Sequence, residues 1–268
     1  MILNADDVGM HPAVDSAVLR LAEAGVIRSA SVMALGKPDP DAMRGLRNLG
    51  VELGLHLDVS SAMAARRYGT SQRIGTIIAM AYSRRLDARQ VRAIVDDQLQ
   101  QFHDKTGGPP LFIDGHEHVH QLPVIREALI DAVRAHHPQQ RPFIRSTLAS
   151  RWRDTKAAII GMLGARSLAR QARKAGCLSN HDFCGVYDLR KPAALAPLWR
   201  GWLASMPPQG TLAMCHPAVA GGSVADSFRL REYQFLSSAA FADMLGQYNT
   251  SVVGWKAALC GELDAVRA

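Results

Sequence analysis

A short apolar run at Met1–Ala5 ends in Asp6-Asp7, the pattern of a buried strand that delivers two acids at its C-terminal end. Pro12 suits a first helical position, and Ala13–Ala24 carries helix-compatible residues until Gly25 stops it. Ser29–Leu35 is β-compatible, and Val51–Val59 reads as another strand, with His56 set among aliphatic neighbours. Asp87 followed three residues later by Gln90 resembles a capping box. From there Val91, Ile94, Val95, Leu99 and Phe102 recur at helical spacing until Gly107-Gly108-Pro109 ends the element. Pro110–Asp114 predicts the next strand, and Pro123 opens a helix through about His136. Thr211–Cys215 is a late strand ending at His216-Pro217, and Ser251–Trp255 is expected to be the last.

Strands alternating with helices predict a parallel sheet or a β/α barrel. Asp6-Asp7, His56, Asp114 with His116, and His216 all fall at or near the C-terminal ends of predicted strands. In β/α barrels that edge carries the chemistry. No repeat or low-complexity linker divides the chain, and 268 residues fit one large α/β domain.

Composition narrows the class. With 48% hydrophobic and 21% charged residues the chain can bury a sizeable core. The apolar stretch Ala157–Ala165 is far below the ~20 residues of a membrane-spanning helix. Acids stand where a secretory signal carries basic residues, so a cytoplasmic location is expected. Cys177, Cys184, Cys215 and Cys260 form no CxxC pair and are expected to be free thiols.

A net charge of +7 comes without a nucleic-acid recognition motif and with only 6% aromatics, which argues against a nucleic-acid reader. The basic residues concentrate in 151–174, where Arg151, Arg153, Lys156, Arg166, Arg170, Arg173 and Lys174 stand against Asp154 alone. Arg166, Arg170 and Arg173 share one face of a helix, with Ile159, Ile160, Met162, Leu163 and Leu168 nearby. Such a segment is either an ordinary solvated helix face or a peripheral contact with an anionic inner membrane surface.

The densest chemistry is Asp114-Gly-His-Glu-His-Val-His120. Its three histidines project to one side if the segment is extended. Imidazole suits zinc and similar divalent ions, so a metal or catalytic site is expected; spacing alone does not separate His116 from His118 as ligand. Asp6-Asp7 reads as a solvated turn or cap, or as one ligand beside one free base, since successive strand residues point opposite ways. His56 and His216, each alone, read as hydrogen-bonded core residues; the whole set reads as a site.

Taken in order, Asn4-Ala-Asp-Asp-Val-Gly9, Gly54-Leu-His-Leu57, Asp114–His120 and Met214-Cys-His-Pro217 resemble the YdjC-like carbohydrate deacetylase family. That family includes the chitooligosaccharide deacetylases and a hopanoid-biosynthesis-associated branch. Arg229-Leu-Arg-Glu-Tyr233 resembles its late Arg/Glu motif. Val8 and Ala218 depart from the family's usual Phe and Gly, and Met63–Ala88 is short or divergent.

The resemblance implies a single-domain distorted β/α barrel over residues 1–268, with the active site at the C-terminal ends of the strands. It implies metal-dependent hydrolysis of an N-acetylated amino sugar, oligosaccharide or lipid-linked N-acetylglucosamine, releasing acetate. The implied ligands of one divalent ion are Asp7, His56 and His116; zinc follows from the histidines, and magnesium is often associated with the family. Asp6 is the implied base and His216 the implied acid. Asp114, His118 and His120 would orient ligand imidazoles, with Arg229 and Glu232 supporting the site or binding substrate. Leu178–Gly185 looks more like the hopanoid-associated branch, which favours a lipid-linked sugar.

Two other functions compete. A barrel hydrolase acting on a phosphoester would want a phosphate cradle, and Ala220-Gly-Gly-Ser223 reads instead as a flexible loop. A non-catalytic sugar- or lipid-binding homologue would not need Asp6 beside Asp7.

Overall fold

The computed structural model describes residues 1–189, 194–221 and 228–260. In chain order, β1 (Ile2–Val8), α1 (Pro12–Glu23), β2 (Ser29–Val32), α2 (Pro40–Asn48) and β3 (Glu52–Leu57) come first. Next are α3 (Ala62–Tyr68), α4 (Ile74–Tyr82), α5 (Ala88–Thr106), β4 (Phe112–Gly115), a 3-10 turn at His116–Gln121, and α6 (Ile125–His136). β5 (Phe143–Ile144), α7 (Thr155–Met162), α8 (Ala165–Lys174), β6 (Asp182–Cys184) and α9 (Leu195–Ser205) follow. β7 (Thr211–Cys215), α10 (Phe228–Leu236), α11 (Ala239–Gln247) and α12 (Trp255–Cys260) complete the order.

The seven strands form one parallel sheet in the order β5-β4-β3-β2-β1-β7-β6. The sheet curls until its edges meet through the segment before β6. There Ile144 N–H donates to the Leu178 carbonyl at 2.9 Å, and Ser146 N–H donates to Asn180 Oδ1 at 2.7 Å. The Asn180 side-chain amide donates back to the Ser146 carbonyl at 2.8 Å. The result is a distorted β/α barrel whose seam is held largely by one asparagine side chain.

Alternation along the strands sorts the interior from the outer layer. Ile2, Phe112, Phe143, Phe183, Leu212 and Met214 cluster inside with Trp255, while Leu3, Ala5, Leu55, Ile113 and Ala213 pack outward in the cluster under the helices. Trp255 is fully buried and stacks on Phe112 at 4.8 Å and Phe143 at 5.7 Å between centroids, plugging the N-terminal end of the barrel. Gly54 lies opposite this packing: a Cβ there would sit 2.4 Å from the Phe112 ring, so the bulky ring of β4 requires glycine on β3.

The fold class and most elements follow the sequence expectation. Ser251–Trp255 does not: residues 251–254 join no strand, although Val253 N–H donates to the Met1 carbonyl at 3.0 Å, and Trp255 begins a helix. The capping box is half made. Asp87 accepts from Arg89 and Gln90 N–H, but the Gln90 side chain turns to the Tyr68 carbonyl. The four cysteines are free. No described helix is long and apolar enough to cross a membrane. Of Ala220–Ser223, residues 222 and 223 lie outside the described residues.

Candidate active site

The inward positions of β1, β3 and β4 that follow the aromatic layer are polar. Asn4, Asp6, His56 and Asp114 are all buried there. A regular strand would point Asp6 and Asp7 to opposite faces. Instead, Ala5 to Val8 on β1 spans the same ladder as Ala30 to Val32 on β2, so β1 carries one extra residue, and Asp7 adopts φ 72°. The bulge turns both carboxylates into one cavity. Holding a non-glycine residue in the left-handed region costs about 1–3 kcal/mol, and Asp7 is fixed there by contacts to His56, His116 and Arg229.

Asp7 Oδ1 lies 3.0 Å from His116 Nδ1 and 3.3 Å from His56 Nε2. One donor atom from each residue falls within 4.8 Å of the other two. Asp114 stands in register beside His56 and lies 2.7 Å from its Nδ1. A carboxylate only accepts, so Nδ1 carries the proton and Nε2 is the nitrogen turned to the cavity. Burial alone depresses the His56 imidazole, but Asp114 and Asp7 outweigh it and lift it to about 10. His116 is raised too, Asp7 prevailing over burial. Asp7 is held well below the carboxylate range, since His116, His56 and Arg229 overcome its desolvation.

A second close group, Asp6 with His56 and Asp114, is differently occupied. Arg145, fully buried, donates to both oxygens of Asp6 at 2.7 Å and reaches Asp114 Oδ2 at 2.5 Å. Asn4 donates to Asp6 at 2.7 Å, and Ser31 Oγ donates to Asp114 at 2.5 Å. A guanidinium already bridging these carboxylates excludes a metal cation from the same place. Burial pushes the Asp6 carboxyl up, but Arg145 more than reverses this and keeps it ionised. Three buried carboxylates (Asp6, Asp7, Asp114) face two guanidinium groups (Arg145, Arg229), and the negative charge left over is what raises the His56 and His116 imidazoles beside Asp7.

His216 Nε2 stands 3.8 Å from Asp6 Oδ2, across the cavity mouth. Glu232 on α10 accepts the His216 backbone N–H, and its other oxygen accepts the Tyr187 hydroxyl at 2.6 Å. Arg229, one turn earlier, donates to Asp7 Oδ2 at 2.6 Å. One helix thus ties down both the Asp7 and the His216 ends of the site.

The histidine-rich turn departs from expectation. It is not extended: Glu117 and His118 sit at φ 51° and 60°, which destroys the alternate projection. Only His116 reaches Asp7. His118 lines the cavity and packs edge-on against Phe183 at 5.7 Å, with burial and Arg145 holding it neutral. His120 is fully buried, its Nε2 3.0 Å from the Arg145 carbonyl oxygen, and desolvation lowers it to about 4. Asp114 orients a neighbouring imidazole; His118 and His120 do not. Arg145, Ser31 and Tyr187 were not singled out from sequence. Arg145 continues the inward alternation from Phe143, but a two-residue strand leaves no pattern to read.

The cavity holds about 440 Å³. Asp6, Asp7, His56, His116 and His216 line it together with Ile74 and Ile78 of α4 and Ile160 and Leu163 at α7. One carboxylate and two imidazoles at this spacing suit zinc or a similar divalent ion, and three protein ligands leave positions open, as a catalytic site requires.

A profile of the family described as YdjC-like protein matches residues 1–247. A carbohydrate deacetylase of Homo sapiens is 26% identical over 92% of this chain and 87% of that protein. A chitooligosaccharide deacetylase of Enterobacter sp. (strain 638) is 29% identical over 47% of this chain and 52% of that protein. Among solved structures, a protein of Enterococcus faecalis V583 proposed to cleave cellobiose phosphate superposes with a TM-score of 0.67 at 17% identity, covering 96% of this chain and 97% of that one. The lactam utilization protein of Thermus thermophilus gives a TM-score of 0.55 at 17% identity, covering 95% and 99%. Both share the fold.

Proposed function

This chain belongs to the YdjC-like protein family, and on that premise we propose that it is a carbohydrate deacetylase hydrolysing the N-acetyl group of an amino sugar. The observation that carries the proposal is the convergence of Asp7, His56 and His116 in one cavity with Asp6 and His216. Asp7, His56 and His116 would hold one divalent ion, zinc or magnesium. When bound, such an ion supplies Lewis acidity, polarising the amide carbonyl and acidifying water toward neutrality.

The protein's own groups divide the proton work. Asp6, fixed by Arg145 and Asn4, stays ionised and accepts the proton of the attacking water. Its strong pairing with Arg145 makes it a weak base. His216, facing Asp6 from β7's end, protonates the departing sugar nitrogen, because an amine anion is a poor leaving group. Arg229 and Glu232 hold Asp7 and the His216 backbone in place.

The aliphatic wall of Ile74, Ile78, Ile160 and Leu163 supports a lipid-linked N-acetylglucosamine over a bare oligosaccharide. Tyr187 and Phe228 supply the phenyl-type rings among the described lining residues. Acetate release by metal-reconstituted protein from chitobiose, N-acetylglucosamine and a lipid-linked N-acetylglucosamine tests the proposal. Release is expected, strongest on the lipid-linked sugar; no acetate from any of them overturns the activity, and release from chitobiose alone overturns the lipid-linked preference.

A further inference from the structure

Trp152, Ile159 and Met162 are 74%, 49% and 73% exposed, half of the six large exposed hydrophobic residues described. Ile159 and Met162 lie three apart on one face of α7. Trp152 and Met162 border a surface cleft of about 630 Å³ with Arg151 and Arg166. The other flank of α7 is part of the catalytic cavity, where Ile160 and neighbouring Leu163 form its wall. An exposed apolar face and the wall of the active site are two sides of one short helix.

The charge around this face is predominantly positive. Arg151, Arg166, Arg170, Arg173 and Lys174 are exposed, and none has an ion-pair partner among the described residues. The lone acid, Asp154, is engaged as the helix cap, accepting the Ala157 N–H at 2.8 Å. A solvated helix face accounts for the arginines of α8 but leaves three exposed apolar side chains beside them unexplained. A second copy of the chain is a poor occupant, because the basic rims would repel. An indole and aliphatic side chains ringed by guanidinium groups complement the headgroup–acyl boundary of an anionic bilayer.

We propose that Trp152, Ile159 and Met162, with Arg151, Arg166 and Arg170, dock on an anionic phospholipid surface and set the α7 wall of the active site against it. Docking does not depend on the deacetylase reading, and its test is decided by binding, with acetate release serving only to show that the arginine variant is intact.

Trp152 is itself the reporter, since Trp199, Trp202 and Trp255 are 3%, 5% and 0% exposed. Tryptophan emission and co-sedimentation are measured with vesicles of phosphatidylglycerol in phosphatidylcholine, and with phosphatidylcholine alone, at low and high salt. A blue shift and pelleting are expected with the anionic vesicles only, reversed by salt. The Arg166→Glu/Arg170→Glu variant should weaken partitioning about ten-fold or more, and Trp152→Ala should weaken it while removing the shift. Acetate release from a soluble acetylated disaccharide should be unchanged in the arginine variant. Wild-type emission and sedimentation unaltered by anionic vesicles overturn the proposal. So does a blue shift that grows with protein concentration in the absence of lipid, which assigns the face to a second copy.

Discussion

Asp114 and His56 stand side by side on β4 and β3, and the 2.7 Å contact between Asp114 Oδ1 and His56 Nδ1 determines which imidazole nitrogen faces the cavity. Asp114 never touches Asp7, yet it sets the tautomer of a proposed ligand. Asp114→Asn is expected to reduce metal affinity about 10- to 100-fold, the usual consequence of losing an outer carboxylate. Competition with a chelator measures it; unchanged affinity would remove Asp114 from the account.

The adjacent acids are separable. Asp6→Asn should retain the ion and lose turnover by about 100- to 10,000-fold, since an amide does not accept a proton near neutral pH. Asp7→Asn should weaken metal binding itself. Metal content and acetate release measured together distinguish them, and the reverse pattern would exchange their roles.

Tyr187 acts on His216 through Glu232. Replacing it by Phe removes a hydrogen bond to a carboxylate, so stability should fall by about 1.5–3 kcal/mol. Denaturant unfolding reads this directly. The turnover number should also fall while KM holds, because the lost contact positions the proposed proton donor and Phe keeps the ring that lines the cavity; a change in KM alone would contradict that assignment.

At the seam, Asp182 accepts two hydrogen bonds from Arg153, at 2.8 and 2.7 Å. Desolvation pushes its carboxyl up, but Arg153 and Ser150 prevail and hold it below the ordinary range. A group with a depressed folded pKa contributes stability above its unfolded pKa, near 3.9, and loses it as pH falls through the folded value. The stability gap between wild type and Asp182→Asn should therefore be constant from neutral pH to about 5 and shrink below about 4. A gap that widens with acid would refute the sign.

Gly54→Ala places a methyl against the Phe112 ring. Overpacking of this kind costs about 1–3 kcal/mol, measurable as a lower midpoint of thermal unfolding.

Much of this architecture was legible because long strands and amphipathic helices carry period. Thr211–Cys215 is observed at its expected bounds, and the helix from Pro12 is displaced by only a residue. What periodicity cannot carry was missed. β5 and β6 are two and three residues long, so Arg145 arrived without a strand to place it. The bulge at Asp7 reversed the expected opposite projection of the paired acids, and left-handed residues at Glu117 and His118 dissolved the expected row of histidines. His56 looked like a core residue because it is one by burial; its role depends on Asp7 and Asp114, each more than forty positions away, which no local window contains.

On the proposed function, Asp7, His56 and His116 hold a single divalent ion on which turnover depends. Elemental analysis of wild type and His116→Ala, purified identically and assayed for acetate release, is the decisive measurement. One ion per wild-type chain is predicted, with most of the metal and nearly all activity lost in the variant. Full metal occupancy in His116→Ala would contradict it.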